Sequence, residues 1–328
     1  MAEPPFTWWR PTLLRSVTTL LLASGVPALS AAPFAYVTNQ GDDTVSVVDL
    51  ATQQVASTVP VGSGPAGIAV SPDGRRAYVT NPESKDVYLI DGTNYRVLQR
   101  TRVGEGPLGV ALSPDASRVY VADWYDDLVF VLEAESLSEL ARIAVGDSPS
   151  GLAVSPDGRW LYVADRDDNH ISVVDLDRHR VHSRLAVGER PFGLTLDPAG
   201  RRLYVANVGS NDVSVVDTQG LRLVATIPVG STPYAVAVTP DGRRAFVTNQ
   251  HDNSVSVIDT QSLRVIAEPQ VGEFPEGIMV EPDGKRVYIA SWFSNELLVM
   301  DVQTFEVVGR VPTGESPRAF GVFLARGG

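Results

Sequence analysis

The 328-residue sequence has no cysteine, two lysines against 25 arginines, four histidines and three methionines. Without a thiol there is no disulfide framework, no thiolate zinc or iron–sulfur site, no cysteine nucleophile and no thioether attachment of a c-type haem. Positive charge is in deficit. The formal net charge is -12, which argues against a general electrostatic grip on nucleic acid or an anionic membrane. The catalytic strings Gly-x-Ser-x-Gly and His-Glu-x-x-His, a phosphate loop and an EF-hand pattern are all missing. No stretch of useful length has helical periodicity. The main apolar stretch, residues 16–26, falls short of the roughly 20 residues a spanning helix needs.

What is present begins with an address. Arg10 and Arg15 precede that stretch, and Pro27-Ala28-Leu29-Ser30 followed by Ala31-Ala32 places small residues where a signal peptidase reads them. Residues 1–30 are therefore expected to be a signal peptide cleaved before Ala31. The mature chain, 31–328, would be periplasmic or secreted, without a membrane anchor, and carry 25 basic against 38 acidic residues. A monomer is expected.

The rest is repetition. Tyr36-Val37-Thr38-Asn39 returns at Tyr78-Val79-Thr80-Asn81, Tyr120-Val121-Ala122-Asp123, Tyr162-Val163-Ala164-Asp165, Tyr204-Val205-Ala206-Asn207, Phe246-Val247-Thr248-Asn249 and Tyr288-Ile289-Ala290-Ser291, always 42 residues on. A proline (Pro65 to Pro317), a glycine (Gly62 to Gly314) and an acid (Asp49 to Asp301) keep the same step. Within 150–187, β-branched or alternating runs at 151–154, 160–164, 171–174 and 181–187 are separated by turn residues, so each repeat reads as four strands. In Ser155-Pro156-Asp157-Gly158, proline presets the first turn position and glycine supplies a left-handed residue, closing a hairpin. Four strands at this period make a propeller blade. The first strand after the leader is the second strand of a blade, and residues 318–324 form a first strand without successors. The C-terminal strand should therefore be the innermost strand of the blade whose outer three strands come from 34–61. The reading is an all-β, seven-bladed propeller closed by its own termini, a single domain where length alone suggests two.

These motifs resemble the YVTN family of β-propeller repeats, over residues 34–324. The resemblance implies an extracytoplasmic protein, similar to periplasmic binding propellers, proteins found alongside quinoprotein (PQQ-dependent) oxidation, surface-layer proteins, sugar lactonases and an antibiotic-opening lyase. Haem-d-type nitrite reductases share the blade motif but have eight blades and a haem-bearing domain.

Positions constant in all blades are explained by the blade, so function should lie where the copies disagree. The Asn or Asp ending each second strand, and the residue four later (Asp43, Lys85, Asp127, Asn169, Asn211, Asn253, Asn295), read as groups bonding their own turn backbone. The basic residues beside the hairpins read as a solvated rim, and His179 and His182 as surface residues. On the opposite face, the residues after the repeated proline are Ala66, Leu108, Ser150, Phe192, Tyr234, Glu276 and Arg318. The outgoing loops add Trp124-Tyr125, Gln250-His251 and Trp292-Phe293, aromatics with no core to fill on an exposed loop.

Tyr234, Gln250, His251, Glu276, Trp292, Phe293 and Arg318 form the candidate pocket, with Phe192, Trp124 and Tyr125 across the channel mouth. Aromatic walls with one cation, one carboxylate and one imidazole suit a small molecule or a periplasmic protein partner. The expected function is a ligand- or protein-binding scaffold, with an accessory role in quinoprotein-dependent oxidation as one form of it. The alternative is a lactonase-like hydrolase or lyase with His251 or Glu276 as base and Arg318 stabilising an oxyanion. No residue pattern assigns a cofactor or a metal.

Overall fold

The computed structural model describes residues 1–2 and 34–325. The chain divides into two units, Met1–Ser30 and Ala31–Gly328, and the propeller is the second. The expected signal peptide, apart from its first two residues, lies outside the described residues. Among those described there are 28 strands and no helix, in seven sheets arranged as blades.

Blade 6 shows the plan. Its innermost strand Pro233–Val238 is followed by Arg244–Asn249, Ser254–Asp259 and the outermost Arg264–Ala267, each antiparallel to the last. Second and third strands alternate β-branched and aromatic residues whose side chains fill the space between neighbouring sheets. Tyr36, Tyr78, Tyr162, Tyr204 and Tyr288 are fully buried there. The Tyr78 hydroxyl donates to the carbonyl of Ala134 in the next blade at 3.0 Å, so the motif tyrosine fills an interblade gap and also finds a polar partner.

Two other motif positions also tie blades together. Thr80 Oγ1 accepts from Gly67 N (2.9 Å) and donates to Leu108 O (2.6 Å) of the following blade; Thr248 Oγ1 repeats this, accepting from Ala235 N and donating to Glu276 O at 2.8 Å. The residue four after the strand end corrects the expectation of a bond to its own turn. It does sit in the left-handed region, with Asn253 at φ 53°. Its side chain, however, reaches a loop 21 residues on: Asn253 Oδ1 accepts from Phe274 N at 2.9 Å, Asn169 from Arg190 N, Asn211 from Thr232 N and Asn295 from Ser316 N. That loop feeds the innermost strand of the next blade, so this residue sets where the neighbouring strand enters the channel.

The strand-ending Asn also departs from expectation. Asn207 and Asn249 donate to Ser214 and Ser256 on the adjacent strand, whereas Asp123 does cap its own turn through Tyr125 N and Asp126 N. The hairpin basics are not all solvated, since Arg202 and Arg244 donate to Thr260 O and Val302 O of the next blade.

Closure follows the sequence reading with one modification. The C-terminal segment bridges the strand Phe34–Asn39 antiparallel at both ends, Asn39 with Pro317 and Ala35 with Leu324, and Tyr36 N donates to Phe323 O at 2.9 Å. Between the bridges, Ala319 (φ 50°) and Gly321 (φ 124°) bulge the chain. Phe320–Val322 is thereby carried against Gly67–Val70 of blade 2, with which it pairs in parallel. The last strand is shared between two blades.

Candidate functional site

The seven innermost strands enter the channel at the repeated proline and run toward the hairpins. They approach so closely that a Cβ on Gly193 would lie 2.3 Å from Tyr234 O. The residue after each proline is thus held at the channel mouth, with no freedom to swing out. Phe192 and Tyr234 are buried there, 6% and 4% exposed. They stack on each other (centroids 4.6 Å apart) and on Phe320 (4.9 and 5.5 Å), with Trp124 6.2 Å from Phe192. These rings stopper the mouth. Beneath them lies a cavity of about 680 Å³, reaching Phe320 at one end and hairpin prolines such as Pro156 and Pro240 at the other.

Beside the stopper sits a buried polar group. Arg318 Nε donates to the Tyr234 hydroxyl at 2.8 Å and lies 3.1 Å from Glu276 Oε2. Gln250 Nε2 donates to Glu276 Oε1 at 3.0 Å, and Arg318 Nη1 donates to Gln40 Oε1 at 3.4 Å. The guanidinium carbon is 5.8 Å from the ring centroids of both Tyr234 and Trp292, within cation–π range. Glu276 is 3% exposed and its Oε2 has no hydrogen-bond partner.

Burial pushes the Glu276 carboxyl up to about 7, against the opposing pull of Arg318, Tyr234 and Gln250. For Arg318, burial disfavours the charge, but Tyr234 and Glu276 outweigh it and the guanidinium is raised. Burial likewise raises the Tyr234 phenol. The two groups are in close contact in a place that does not favour charge.

On the outer side of Arg318 a cavity of about 200 Å³ is lined by Gln40, Pro82, Gly106, Leu108, Trp124, Tyr125, Phe192 and Arg318. Trp124 is stacked by the Arg166 guanidinium at 5.3 Å, and Tyr125 stands 72% exposed at the rim.

Of the residues singled out from the sequence, Tyr234, Gln250, Glu276, Trp292 and Arg318 come together, and Phe192, Trp124 and Tyr125 line the cavity beside them. His251 and Phe293 belong to another cluster. The His251 ring lies 5.6 Å from Phe274, which lies 5.2 Å from Phe293, and His251 Nδ1 is 2.5 Å from Thr232 Oγ1. Sequence reasoning missed Phe320 and the pocket role of Gln40. Phe320 follows Arg318 by two residues in a strand read only as a closing element, and Gln40 lies 278 residues from Arg318 in the chain. Among the described residues, no group of three or more His, Asp or Glu is arranged to hold a metal ion.

A family model described as a YNCE-like beta-propeller matches residues 11–325. Among solved structures, that of hydrazine synthase from Kuenenia stuttgartiensis is similar, with TM-score 0.74 and 25% identity, over 82% of this chain and 92% of that one. A functionally unknown protein from Desulfotomaculum acetoxidans DSM 771 matches with TM-score 0.77 and 18% identity, over 88% and 99%. The dihydro-heme d1 dehydrogenase NirN in complex with DHE gives TM-score 0.67 and 20% identity, over 87% and 74%. The PE-PGRS family protein PE_PGRS18 of Mycobacterium tuberculosis (strain ATCC 25618 / H37Rv) is 57% identical over 37 residues, which are 11% of this chain and 8% of that protein.

Proposed function

The chain belongs to the YNCE-like β-propellers, and from that premise we propose that it is an exported binding or scaffold protein. In this reading its loop face holds a small molecule or a periplasmic protein, with service to a quinoprotein oxidation as one form of that role. The observation that carries the reading is the site's mixture of recognition groups without a reacting centre. Arg318 lines an aromatic-walled pocket, while the imidazole that acid–base chemistry would use, His251, faces Thr232 and Phe274. A general base must reach the proton it removes, and neither His251 nor Glu276 is among the residues lining the Arg318 pocket.

Two measurements test the proposal. N-terminal sequencing of protein recovered from the periplasm of a Gram-negative host should begin at Ala31; an unprocessed chain retained in the cytosol would refute export. Thermal shifts should then be recorded with divalent metals, PQQ, lactones and hydrophobic alcohols, alongside retention of periplasmic proteins on the immobilised chain. Saturable binding of any of these without turnover is the expected result. Turnover of a lactone favours the hydrolase or lyase, and a blank in both screens refutes the binding role.

A further inference from the structure

Resting on the reading of the loop face as a binding surface, we propose that the pocket between Arg318 and Trp124 takes a small aromatic carboxylate, its carboxylate on the guanidinium and its ring against Trp124 and Phe192. A guanidinium carries five N–H groups in a fixed fork suited to a carboxylate. Arg318 spends Nε on Tyr234 and one Nη1 hydrogen on Gln40, so three N–H groups have no hydrogen-bond acceptor among the described residues. Glu276 approaches the Nε edge, and neither it nor Tyr234 lines the cavity, whereas Gln40 and Arg318 do. The guanidinium is therefore gripped from one side and offered on the other.

The aromatic part of the same lining is held in place. Phe192 is locked in the stopper by Tyr234 and Phe320, and Trp124 is packed between Phe192 and Arg166. Preorganised flat rings sharing a small cavity with a fork of donors suit a planar acid. Size limits the ligand further: drug-sized ligands fill roughly 300–1,000 Å³, and this cavity is about 200 Å³, room for one ring. Charge limits it as well. The protein is strongly acidic, and carboxylates such as Asp42, Glu83 and Glu105 lie in the loops of this face, so a polyanion is repelled.

The test is calorimetric titration of the purified protein with benzoate, neutral benzamide and cationic benzylamine, repeated on two variants. Gln40→Glu places a carboxylate beside Arg318 Nη1 in an isosteric side chain and should occupy the anion position from within. Glu276→Gln with Arg318→Gln removes both charges together, leaving no lone buried ion. Benzoate should bind about tenfold more tightly than benzamide and benzylamine, as a charge-assisted fork requires, and lose at least that factor in Gln40→Glu.

Benzoate binding should also vanish in the double variant, with an unchanged circular dichroism spectrum. If the double variant does not fold, Gln40→Glu alone decides. Binding of benzamide or benzylamine as tight as that of benzoate, or benzoate binding undiminished in Gln40→Glu, overturns the carboxylate assignment and leaves the binding role standing. Failure of all three probes also overturns the assignment, and the binding role falls only with its own ligand and partner screens.

Discussion

Arg318 Nε lies 3.1 Å from Glu276 Oε2 yet gives its hydrogen bond to Tyr234 at 2.8 Å. The two groups are in contact and not hydrogen-bonded, inside a site that raises the Glu276 carboxyl to about 7. Breaking one side of a fully buried pair costs about 3–5 kcal/mol; less is expected here, since the Arg318 side chain keeps 19% of its exposure. The pH dependence is more diagnostic. A carboxyl whose folded value exceeds its ordinary 4.5 contributes stability that is whole below that value and lost as pH rises through about 7. Arg318→Gln should therefore lose more stability, by urea denaturation, at pH 8 than at pH 5. Equal losses would mean Glu276 is neutral at both.

Asp165 is a second carboxyl raised by burial, to about 6, despite the Ser172 hydroxyl that donates to it at 2.6 Å. Four other blades have asparagine at this position, and Asn207 and Asn249 donate to serines equivalent to Ser172. The sign is the same, with stability lost as pH rises from about 4 to about 6. Asp165→Asn should stabilise by on the order of 2–3 kcal/mol at pH 8 and have little effect at pH 4. A melting-temperature difference that does not grow with pH would contradict this.

The interblade bond from Asn253 to Phe274 N can be separated from the strained backbone beneath it. Asn253→Ala loses both the acceptor and a side chain that tolerates φ 53°, for about 2–3 kcal/mol. Asn253→Gly loses only the bond and should cost about 1 kcal/mol. Chemical denaturation of the two variants gives the difference, and Ala losing no more than Gly would remove the backbone contribution.

Blade 3 has Ala116 where Gly158, Gly200, Gly242 and Gly284 stand, and adopts the same left-handed turn at φ 53°. Ala116→Gly should stabilise the protein by about 1 kcal/mol by relieving that conformation. Gly158→Ala should cost about as much, because the nearest atom to its new Cβ is Pro114 Cδ at 3.5 Å, an ordinary contact. Thermal melts of both variants check the pair of signs.

Ring closure predicts an all-or-none loss. Removing residues 318–328 deletes the bonds from Arg318 N to Thr38 O, Tyr36 N to Phe323 O and Ala325 N to Phe34 O. It also unstacks Phe320 from the stopper and exposes a sheet edge in blade 1. The truncated chain should show no cooperative melt by circular dichroism; a soluble, cooperatively melting product would refute the role of the last strand.

The blades were legible because each of their rules is local. Alternation, the Pro-Asp-Gly turn and the 42-residue step are written within a few residues of where they act, and seven copies without an insertion fix the ring by counting. The site was half legible. Disagreement among copies at the residue after the proline pointed to Tyr234, Glu276 and Arg318, which meet. The same argument did not say that Phe192 and Tyr234 would be buried, because strand spacing does not say how near seven strands come to one another at the channel mouth. His251 sits next to Gln250 in the chain and on the other side of the loop in space, and no pattern in the sequence distinguishes those directions.

Fold class, blade number and the need for the two ends of the propeller to meet were thus determined by the sequence itself, since repetition and hydrogen-bonding demand leave one solution. The tertiary structure alone decided what the variable residues became. Close approach of the innermost strands turned aromatics into a stopper, and the bulge at Ala319 and Gly321 carried Phe320 across to blade 2. The same closure brought Gln40 and Arg318, 278 residues apart, to one wall of a pocket. Those outcomes depend on distances between blades, which a repeat repeats but does not state.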